Sequence, residues 1–156
     1  IKPAILSVDK IPEKNWVRVY FTPGTDCEDN IIKQIEQAKN IDMAVYSITN
    51  DKIVDALVAA KARGAKVRII TDRLQSKGRY SLVPMLEKEG FDVIVNKNHK
   101  IMHHKFAIFD GKEVETGSYN WTASATKSNA ENCMFFKQQN KQFTDQFNYL
   151  WKFYQE

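Results

Sequence analysis

Residues 103–122 read HHKFAIFDGKEVETGSYNWT and decide the fold, because they hold two short apolar runs joined by a glycine-containing turn. His103 and Lys105 open the first run, and Ser118 and Asn120 follow the second. Side chains two positions apart in a strand share one face, so each pair points to one side. The stretch therefore predicts two neighbouring strands that bring four polar groups to one pocket.

Strand and helix patterns alternate along the rest of the chain, which is typical of the α/β class. We expect one domain over 1–156, built on a mixed β-sheet flanked by helices on both faces, with 1–14 as an N-terminal extension. In the first strand Val17, Val19 and Phe21 share a face. The predicted helices cover 28–39, 51–63, 81–90, 122–127 and 141–154, and the predicted strands cover 15–22, 41–48, 66–72, 91–96, 99–110, 112–118 and 130–136.

Length and composition exclude several classes of protein. At 156 residues the chain is long enough for one hydrophobic core and too short for two comfortable ones. No apolar run approaches the roughly 18–20 residues that a membrane-spanning helix needs. The chain opens with Ile1 instead of methionine, so the hypothesis is that a signal peptide or a membrane anchor has been removed.

The two cysteines, Cys27 and Cys133, lie far apart in the sequence and lack the close spacing of a metal site. Unpaired thiols are the favoured interpretation, with Cys133 in a core strand and Cys27 in a loop. A single disulfide is the alternative.

The net charge is +4, and the positive charge is concentrated near the motif. Between 61 and 79 the chain carries seven Lys and Arg residues and a single aspartate, and between 96 and 109 it carries three lysines and no acid. A basic surface beside a polar pocket indicates a polyanionic partner. Arg73, Lys77 and Arg79 are candidate substrate-binding residues, because they lie on a loop after a predicted strand end.

The polar residues of the motif have the chemistry that cleaves a phosphodiester. Such a reaction needs a nucleophile, a proton donor for the leaving oxygen and positive donors for the phosphoryl oxygens. The imidazole of His103 is a nucleophile that works at neutral pH without a metal. Lys105 supplies a point charge, and Ser118 and Asn120 supply neutral donors. Glu131 can accept the far ring N–H of His103 and fix its tautomer.

Two further residues of the motif are predicted to be structural. Gly117 lets the backbone turn and approach a substrate closely, and Asp110 lies beside a turn on the opposite strand face. No metal or other cofactor is expected. A zinc site built from His99, His103 and His104 is disfavoured, because no cysteine or carboxylate is spaced to complete it.

This spacing resembles the HKD motif of the phospholipase D superfamily, at His103-x-Lys105-x4-Asp110-x6-Gly117-Ser118-x-Asn120. The likeness extends over most of residues 17–155, including the runs YSIT (46–49) and DALVAAKARGAKVRIITD (55–72). In size, and in having one copy of the motif, the chain is similar to the small bacterial endonucleases of that superfamily. Those enzymes are secreted or membrane-anchored, and some are linked to natural competence.

The resemblance implies a two-step reaction through a phosphohistidine, without a divalent metal. It assigns His103 as the nucleophile, Lys105 and Asn120 as phosphate-holding residues, Ser118 as their support and Glu131 as the residue that orients the imidazole. Members with two copies of the motif fold them around one site, so a homodimer is expected to place two His103 side chains across one phosphate. A bell-shaped pH–rate profile follows.

The expected partner is nucleic acid, namely single-stranded DNA by resemblance, cleaved with little sequence specificity because no base-reading element is visible. Tyr46 is a candidate wall of the cleft, and Tyr119 and Trp121 are candidate base-stacking rings, with core packing as the alternative for Trp121. The expected location is the cell envelope or periplasm, with DNA uptake as one role. The alternatives are a phospholipid phosphodiesterase or phosphatidyl transferase and an RNA-directed nuclease. The lipid enzymes need an exposed apolar lip or an amphipathic helix to reach a bilayer. They are disfavoured because the loops near the motif are basic.

Overall fold

The computed structural model describes residues 16–156, which form seven strands and five α-helices. The expected N-terminal extension over 1–14 lies outside the described residues. The strands are β1 (Arg18–Phe21), β2 (Asn40–Val45), β3 (Lys66–Thr71), β4 (Asp92–Val95), β5 (Lys105–Phe109), β6 (Glu113–Gly117) and β7 (Asn132–Lys137). The helices are α1 (Asp26–Gln37), α2 (Asp51–Ala62), α3 (Val83–Lys88), α4 (Ala123–Lys127) and α5 (Gln142–Phe153), with a 3₁₀ turn at Gln75–Lys77.

All seven strands lie in one mixed sheet in the order β1-β7-β6-β5-β2-β3-β4. The pairs β2–β3 and β3–β4 are parallel, and the other four pairs are antiparallel. The two halves meet where β2 pairs with β5, in the register Val45 opposite Lys105. The predicted α/β class with a mixed sheet is confirmed.

Helices cover both faces of this sheet, as predicted. One face packs against α1, α2, α3 and α4, where Ile35, Leu57 and Leu86 are fully buried. The other face packs against α5, through Phe147 and Leu150, the one helix of residues 16–156 on this side. Full burial of each such side chain stabilises the fold by roughly 1.5–3 kcal/mol, so both layers hold the sheet in place.

The helix α2 begins and ends where its sequence predicts. Asn50 caps it, because its Oδ1 accepts a hydrogen bond of 3.0 Å from the backbone N–H of Ile53. Gly64 follows its last turn with a φ of +100°, a conformation that favours glycine. The segment before this cap, residues 46–49, carries Tyr46 and Ser47, which contact residues of the candidate site.

The strand predicted over 99–110 begins only at Lys105. The backbone N–H of Met102 donates to the Oδ1 of Asp72 at 2.9 Å instead of entering the sheet. The carbonyl of His104 accepts from the N–H of Tyr46 at 2.9 Å, just before the ladder starts. His103 therefore lies in the segment that leads into β5, outside the strand itself.

The prediction of unpaired thiols is wrong, because Cys27 and Cys133 form a disulfide. Their Cα atoms are 6.1 Å apart, within the range that a disulfide spans. Cys27 lies in the first turn of α1 instead of a loop, and Cys133 lies on the face of β7 that this helix covers. The bond ties α1 to β7, directly behind the segment that carries Glu131.

The edge strand β1 exposes the apolar face that its sequence predicts. Val17, Val19 and Phe21 are 48%, 45% and 67% exposed. Among residues 16–156, no helix is long and apolar enough to cross a membrane.

Candidate active site

The site contains His103 and Lys105, at the N-terminal end of β5. The Nζ of Lys105 lies 3.0 Å from both ring nitrogens of His103 and 2.9 Å from its carbonyl oxygen. The ammonium is therefore equally close to both ring nitrogens. His103 is exposed and Lys105 is half-buried, so both can reach a substrate from solvent.

Tyr46 packs directly against this pair. Its ring meets the ring of His103 edge to face, with the centroids 4.8 Å apart, and the Nζ of Lys105 lies 5.4 Å from the centre of the tyrosine ring. The Nε2 of Gln75 donates to the Tyr46 hydroxyl at 2.9 Å and fixes the ring from behind. The structure thus places Tyr46 beside the imidazole, as a residue that restricts its orientation.

Asn120 and Ser118 lie at the same edge and are each held by a backbone N–H. The Oδ1 of Asn120 accepts from the N–H of Ser47 at 3.2 Å, and the Oγ of Ser118 accepts from the N–H of Asn132 at 3.0 Å. An N–H can only bond an acceptor, so the Asn120 amide nitrogen points the other way. Both side chains thereby keep a donor for phosphoryl oxygens.

Gly117 is required by the close approach of β6 to β7. Its φ is +155°, and a Cβ at this position would overlap the carbonyl oxygen of Asn132. The same carbonyl accepts from the N–H groups of Ser118 and Tyr119, at 3.0 and 3.2 Å. The glycine therefore lets the segment that carries Ser118 and Asn120 bend over the start of β7.

Glu131 lies close to this site and acts on Lys105. Burial lowers the pKa of Lys105, and the negative charge of Glu131 opposes that shift. The Oε2 of Glu131 accepts from the side chain of Asn129 at 3.1 Å, and its backbone N–H donates to Thr22 at 2.9 Å. Within the described part of the chain the expected hydrogen bond to His103 is not formed, because this carboxylate is turned towards Asn129.

A cavity of about 360 Å³ opens on the α5 side of the site. His103, Lys105, Phe106 and Phe143 line it, together with His104, whose ring lies 5.4 Å from that of Phe106. Burial lowers the pKa of His104, and the neighbouring positive side chains lower it further. This imidazole is therefore neutral over a wider pH range than a free histidine.

Asp110 lies at the opposite end of β5 and fastens it to β2. Its Oδ1 accepts from the backbone N–H groups of Lys39 and Asn40, at 2.8 and 2.9 Å. Its φ is +54°, a left-handed conformation that aspartate tolerates better than most residues. This part of the motif sets the register of β5 without contacting the site.

Tyr119 does not line the cleft, which corrects the prediction of a base-stacking ring. The residue is fully buried, and its hydroxyl lies 2.6 Å from the Oγ1 of Thr126. Burial raises the pKa of Tyr119 to about 12. Trp121 is fully buried as well. The two aromatic side chains on either side of Asn120 therefore pack in the core and do not reach a substrate.

A buried carboxyl group, that of Glu115 on β6, lies beneath this segment. The Nε1 of Trp121 donates to its Oε1 at 3.2 Å, and its Oε2 has no hydrogen-bond partner among the described residues. Burial raises the pKa of Glu115 to about 8, and the bond from Trp121 opposes part of that shift. The group is therefore mostly a neutral acid at pH 7.

The three candidate basic residues lie on the loop that follows β3, and all are exposed. Arg79 lines a cleft together with Ser47, the residue that holds Asn120. Arg73 and Lys77 lie earlier on the same loop, and their role in substrate binding stays a prediction.

His99 contacts the C-terminal segment, with its Nδ1 2.6 Å from the hydroxyl of Tyr154. Across residues 16–156, no group of three or more His, Cys, Asp and Glu side chains is placed to hold a metal ion.

Asp72, Gln75 and Glu115 support the site and were missed from the sequence. Asp72 accepts from the backbone N–H groups of Leu74, Gln75 and Met102, at 3.1, 3.1 and 2.9 Å. It thereby joins the loop after β3 to the segment that carries His103. Its position at the end of a buried strand was the only signal in the sequence, whereas nothing marked Gln75 or Glu115.

Known proteins match this chain over most of its length. The family model described as cardiolipin synthase, PLD-like domain, matches residues 31–151. A protein named phospholipase D from Rickettsia conorii is 41% identical over 127 residues, which is 81% of this chain and 64% of that protein. A mitochondrial cardiolipin hydrolase from Chlamydomonas reinhardtii is 36% identical over 115 residues, or 72% of this chain and 52% of that protein. The chain thus spans less than two thirds of these relatives.

Two solved structures share the whole fold. Nuc from Salmonella typhimurium, a phospholipase D family member, aligns with a TM-score of 0.82 and 33% identity over 88% of this chain and 95% of that one. NucT from Helicobacter pylori aligns with a TM-score of 0.79 and 27% identity over 89% of this chain and 95% of that one. The motif, the family match and these alignments show that the chain belongs to the phospholipase D superfamily, as a Nuc-like member with one copy of the motif.

Proposed function

We propose that this chain is a phosphodiesterase that cleaves single-stranded DNA internally, without a metal, in a site shared by two copies of the chain. The observation that carries the proposal is the contact of Lys105 with His103, together with Asn120, which bonds to Ser47, the residue after the Tyr46 that packs on this imidazole. The likeness to Nuc and NucT supports a nuclease.

In the first step, a neutral ring nitrogen of His103 attacks phosphorus and forms a phosphorus–nitrogen bond. The bond to the leaving oxygen breaks, and that oxygen takes a proton as it departs as a hydroxyl group. Lys105 turns from the imidazole to the phosphoryl oxygens, which frees the ring nitrogen for attack. The half-buried ammonium and the Asn120 amide then stabilise the negative charge of the transition state.

In the second step, water attacks the phosphohistidine. A base removes the proton from that water, the phosphorus–nitrogen bond breaks, and His103 is restored. The products are a phosphomonoester and an alcohol, so the two steps together consume one water molecule. The phosphoryl group is attacked on the face opposite the leaving oxygen, and one imidazole cannot serve both sides.

The second imidazole is therefore that of His103 in another copy of the chain. A two-fold dimer places one neutral and one protonated imidazole across the phosphate, so that one attacks while the other donates the proton. The exposure of His103 at the sheet edge is compatible with this arrangement.

Cleavage of labelled single-stranded DNA in excess EDTA tests this function. The wild-type chain should cleave, His103→Ala should fall to background, and His104→Gln is the matched control because it changes the adjacent imidazole. Activity that disappears with EDTA in the wild-type chain would contradict the metal-free mechanism. Equal activity of His103→Ala and wild type would refute the assignment of His103 as the nucleophile.

Dilution tests the shared site separately. Specific activity should fall as the protein is diluted below the dissociation constant of its dimer, in parallel with the dimer fraction measured by analytical ultracentrifugation. A monomer that keeps full activity per chain contradicts the two-copy site and leaves the nuclease proposal standing.

A phospholipid phosphodiesterase is the second candidate, and one feature of the structure favours it. Phe106 and Phe143 give the cavity beside His103 an apolar wall, and relatives of this chain are named phospholipase D and cardiolipin hydrolase. Phospholipid vesicles presented beside the DNA distinguish the two functions. Faster turnover of the lipid would assign the chain to this second candidate.

A further inference from the structure

A second cleft, of about 670 Å³, begins one residue away from the site. Ser47 lines it and holds Asn120 through the 3.2 Å hydrogen bond already described. Thr49 and Ser124 continue the lining away from the site, and Arg79 and Tyr80 form the opposite side. A polymer whose phosphate lies at Asn120 can therefore extend directly into this cleft.

The sides of the cleft are fixed by hydrogen bonds within the chain. The N–H of Leu82 donates to the carbonyl of Ile48 at 3.0 Å, which closes the Arg79–Tyr80 side against the segment after β2. The N–H of Thr49 donates to the carbonyl of Trp121 at 2.9 Å, which closes the other side. The cleft thus exists before a ligand enters, and binding requires little ordering of the protein.

Among residues 16–156, Tyr80 is the most exposed of the large aromatic and aliphatic side chains, at 73%. The guanidinium of Arg79 lies 5.4 Å from the centre of its ring, a distance at which the cation is attracted to the ring. Arg79 therefore restrains the tyrosine while most of its surface stays accessible. Core packing does not account for this ring, in contrast to the fully buried Tyr119.

We propose that the cleft binds a nucleobase next to the scissile phosphate, with Tyr80 as the stacking surface and Arg79 as its support. This inference rests on the proposed function. It adds that the chain binds the base of the substrate as well as the phosphate.

The lining of the cleft favours a base over the other parts of a substrate. Its charged lining residues are Arg79 and Asp51, of opposite sign, so a second phosphate finds no net positive charge. The hydroxyl groups of Ser47, Thr49 and Ser124 match the donors and acceptors on a base edge, and an acyl chain would leave them without partners. An aromatic ring stacks on any base, which agrees with cleavage of little sequence specificity.

The test compares two single-stranded oligonucleotides of equal length, one with bases and one in which abasic sugars flank the scissile phosphate. For Tyr80→Ala, kcat/KM on the strand with bases should fall about tenfold relative to kcat/KM on the abasic strand. Tyr80→Phe keeps the stacking ring and should restore the wild-type ratio. Tyr149→Ala is the matched control, because Tyr149 is also exposed, at 50%, but lies on α5.

Three results overturn the inference, and they differ from failure of the proposed function. If the wild type cleaves both strands and Tyr80→Ala keeps the wild-type ratio, the base site is wrong and the nuclease stands. If Tyr80→Ala weakens cleavage of phosphatidylglycerol vesicles and spares the DNA ratio, the cleft holds a lipid headgroup. If the wild type cleaves a small aryl phosphodiester but no oligonucleotide, the nuclease fails and the base site with it.

Discussion

The exchange of Glu115 for glutamine should stabilise the protein, increasingly so as the pH rises. The carboxyl group is fully buried and its pKa is raised to about 8, whereas the unfolded chain ionises near the ordinary value of 4.5. Glutamine keeps an oxygen that accepts from the indole N–H of Trp121 and has no proton to lose. Its amide N–H2 replaces the O–H of the neutral acid, and both are donors at the position of the unpartnered Oε2.

The magnitude follows from the difference in proton binding between the folded and unfolded states. Below the unfolded pKa both states hold the proton, and the pH has no effect through this group. Between 4.5 and about 8 only the unfolded state releases it, so the wild type loses about 1.4 kcal/mol of stability per pH unit. The loss reaches about 3 kcal/mol at pH 7 and levels off above the folded pKa.

Urea unfolding of wild type and Glu115→Gln at several values between about pH 5 and pH 8 measures this effect. The difference in unfolding free energy should grow in favour of the variant by about 2–3 kcal/mol from pH 5 to pH 7. Glu113→Gln is the control on the same strand, since Glu113 pairs with Arg18 in a partly exposed ion pair of 2.8 Å worth about 0–1 kcal/mol. A difference for Glu115→Gln that stays constant with pH would refute the buried neutral acid.

Three further changes probe other parts of the site. Gly117→Ala should destabilise the protein and abolish cleavage, because the added methyl group overlaps the carbonyl of Asn132; thermal unfolding and the DNA assay measure both effects. Replacement of Cys27 and Cys133 by serine should lower the free energy of unfolding by about 3–4 kcal/mol, since the disulfide closes a loop with a sequence separation of 106. This loss corresponds to a decrease in Tm of roughly 10 °C. An unchanged Tm would contradict the prediction. Tyr119→Phe should cost about 1 kcal/mol of unfolding free energy for the lost hydrogen bond to Thr126, measured by urea unfolding; a variant as stable as the wild type would contradict this contribution.

The sequence was sufficient to predict the elements whose signals are local. The helix α2 shows why, because Asn50 as cap, Gly64 as terminator and an apolar stripe between them agree with one another. The HKD spacing likewise fixes His103 and Lys105 on one side of one strand end. These features depend on neighbours in the sequence, so no tertiary contact was needed to predict them.

The rest depends on contacts between distant segments. Nothing near Cys27 indicates that α1 will carry it to within 6.1 Å of Cys133. Tyr119 was predicted to reach the cleft because it adjoins Asn120, whereas its burial depends on a contact with Thr126 that only the folded chain provides. Asp72 supplies an acceptor to Met102 that a neighbouring strand would otherwise supply, and only the folded arrangement brings the two together.

The strand order has a consequence for how the chain folds during synthesis. The first strand of the sheet pairs with the last, and β2 must wait for β5 before its second edge is covered. As the ribosome releases the chain, the parallel unit β2-β3-β4 can assemble early, while β1 waits for β7. Pairings between segments so distant in the sequence close slowly. The strand ends beside Ser118 and Glu131 therefore complete only after β7 has emerged, and until then the unpaired edges of β1 and β2 are open to aggregation.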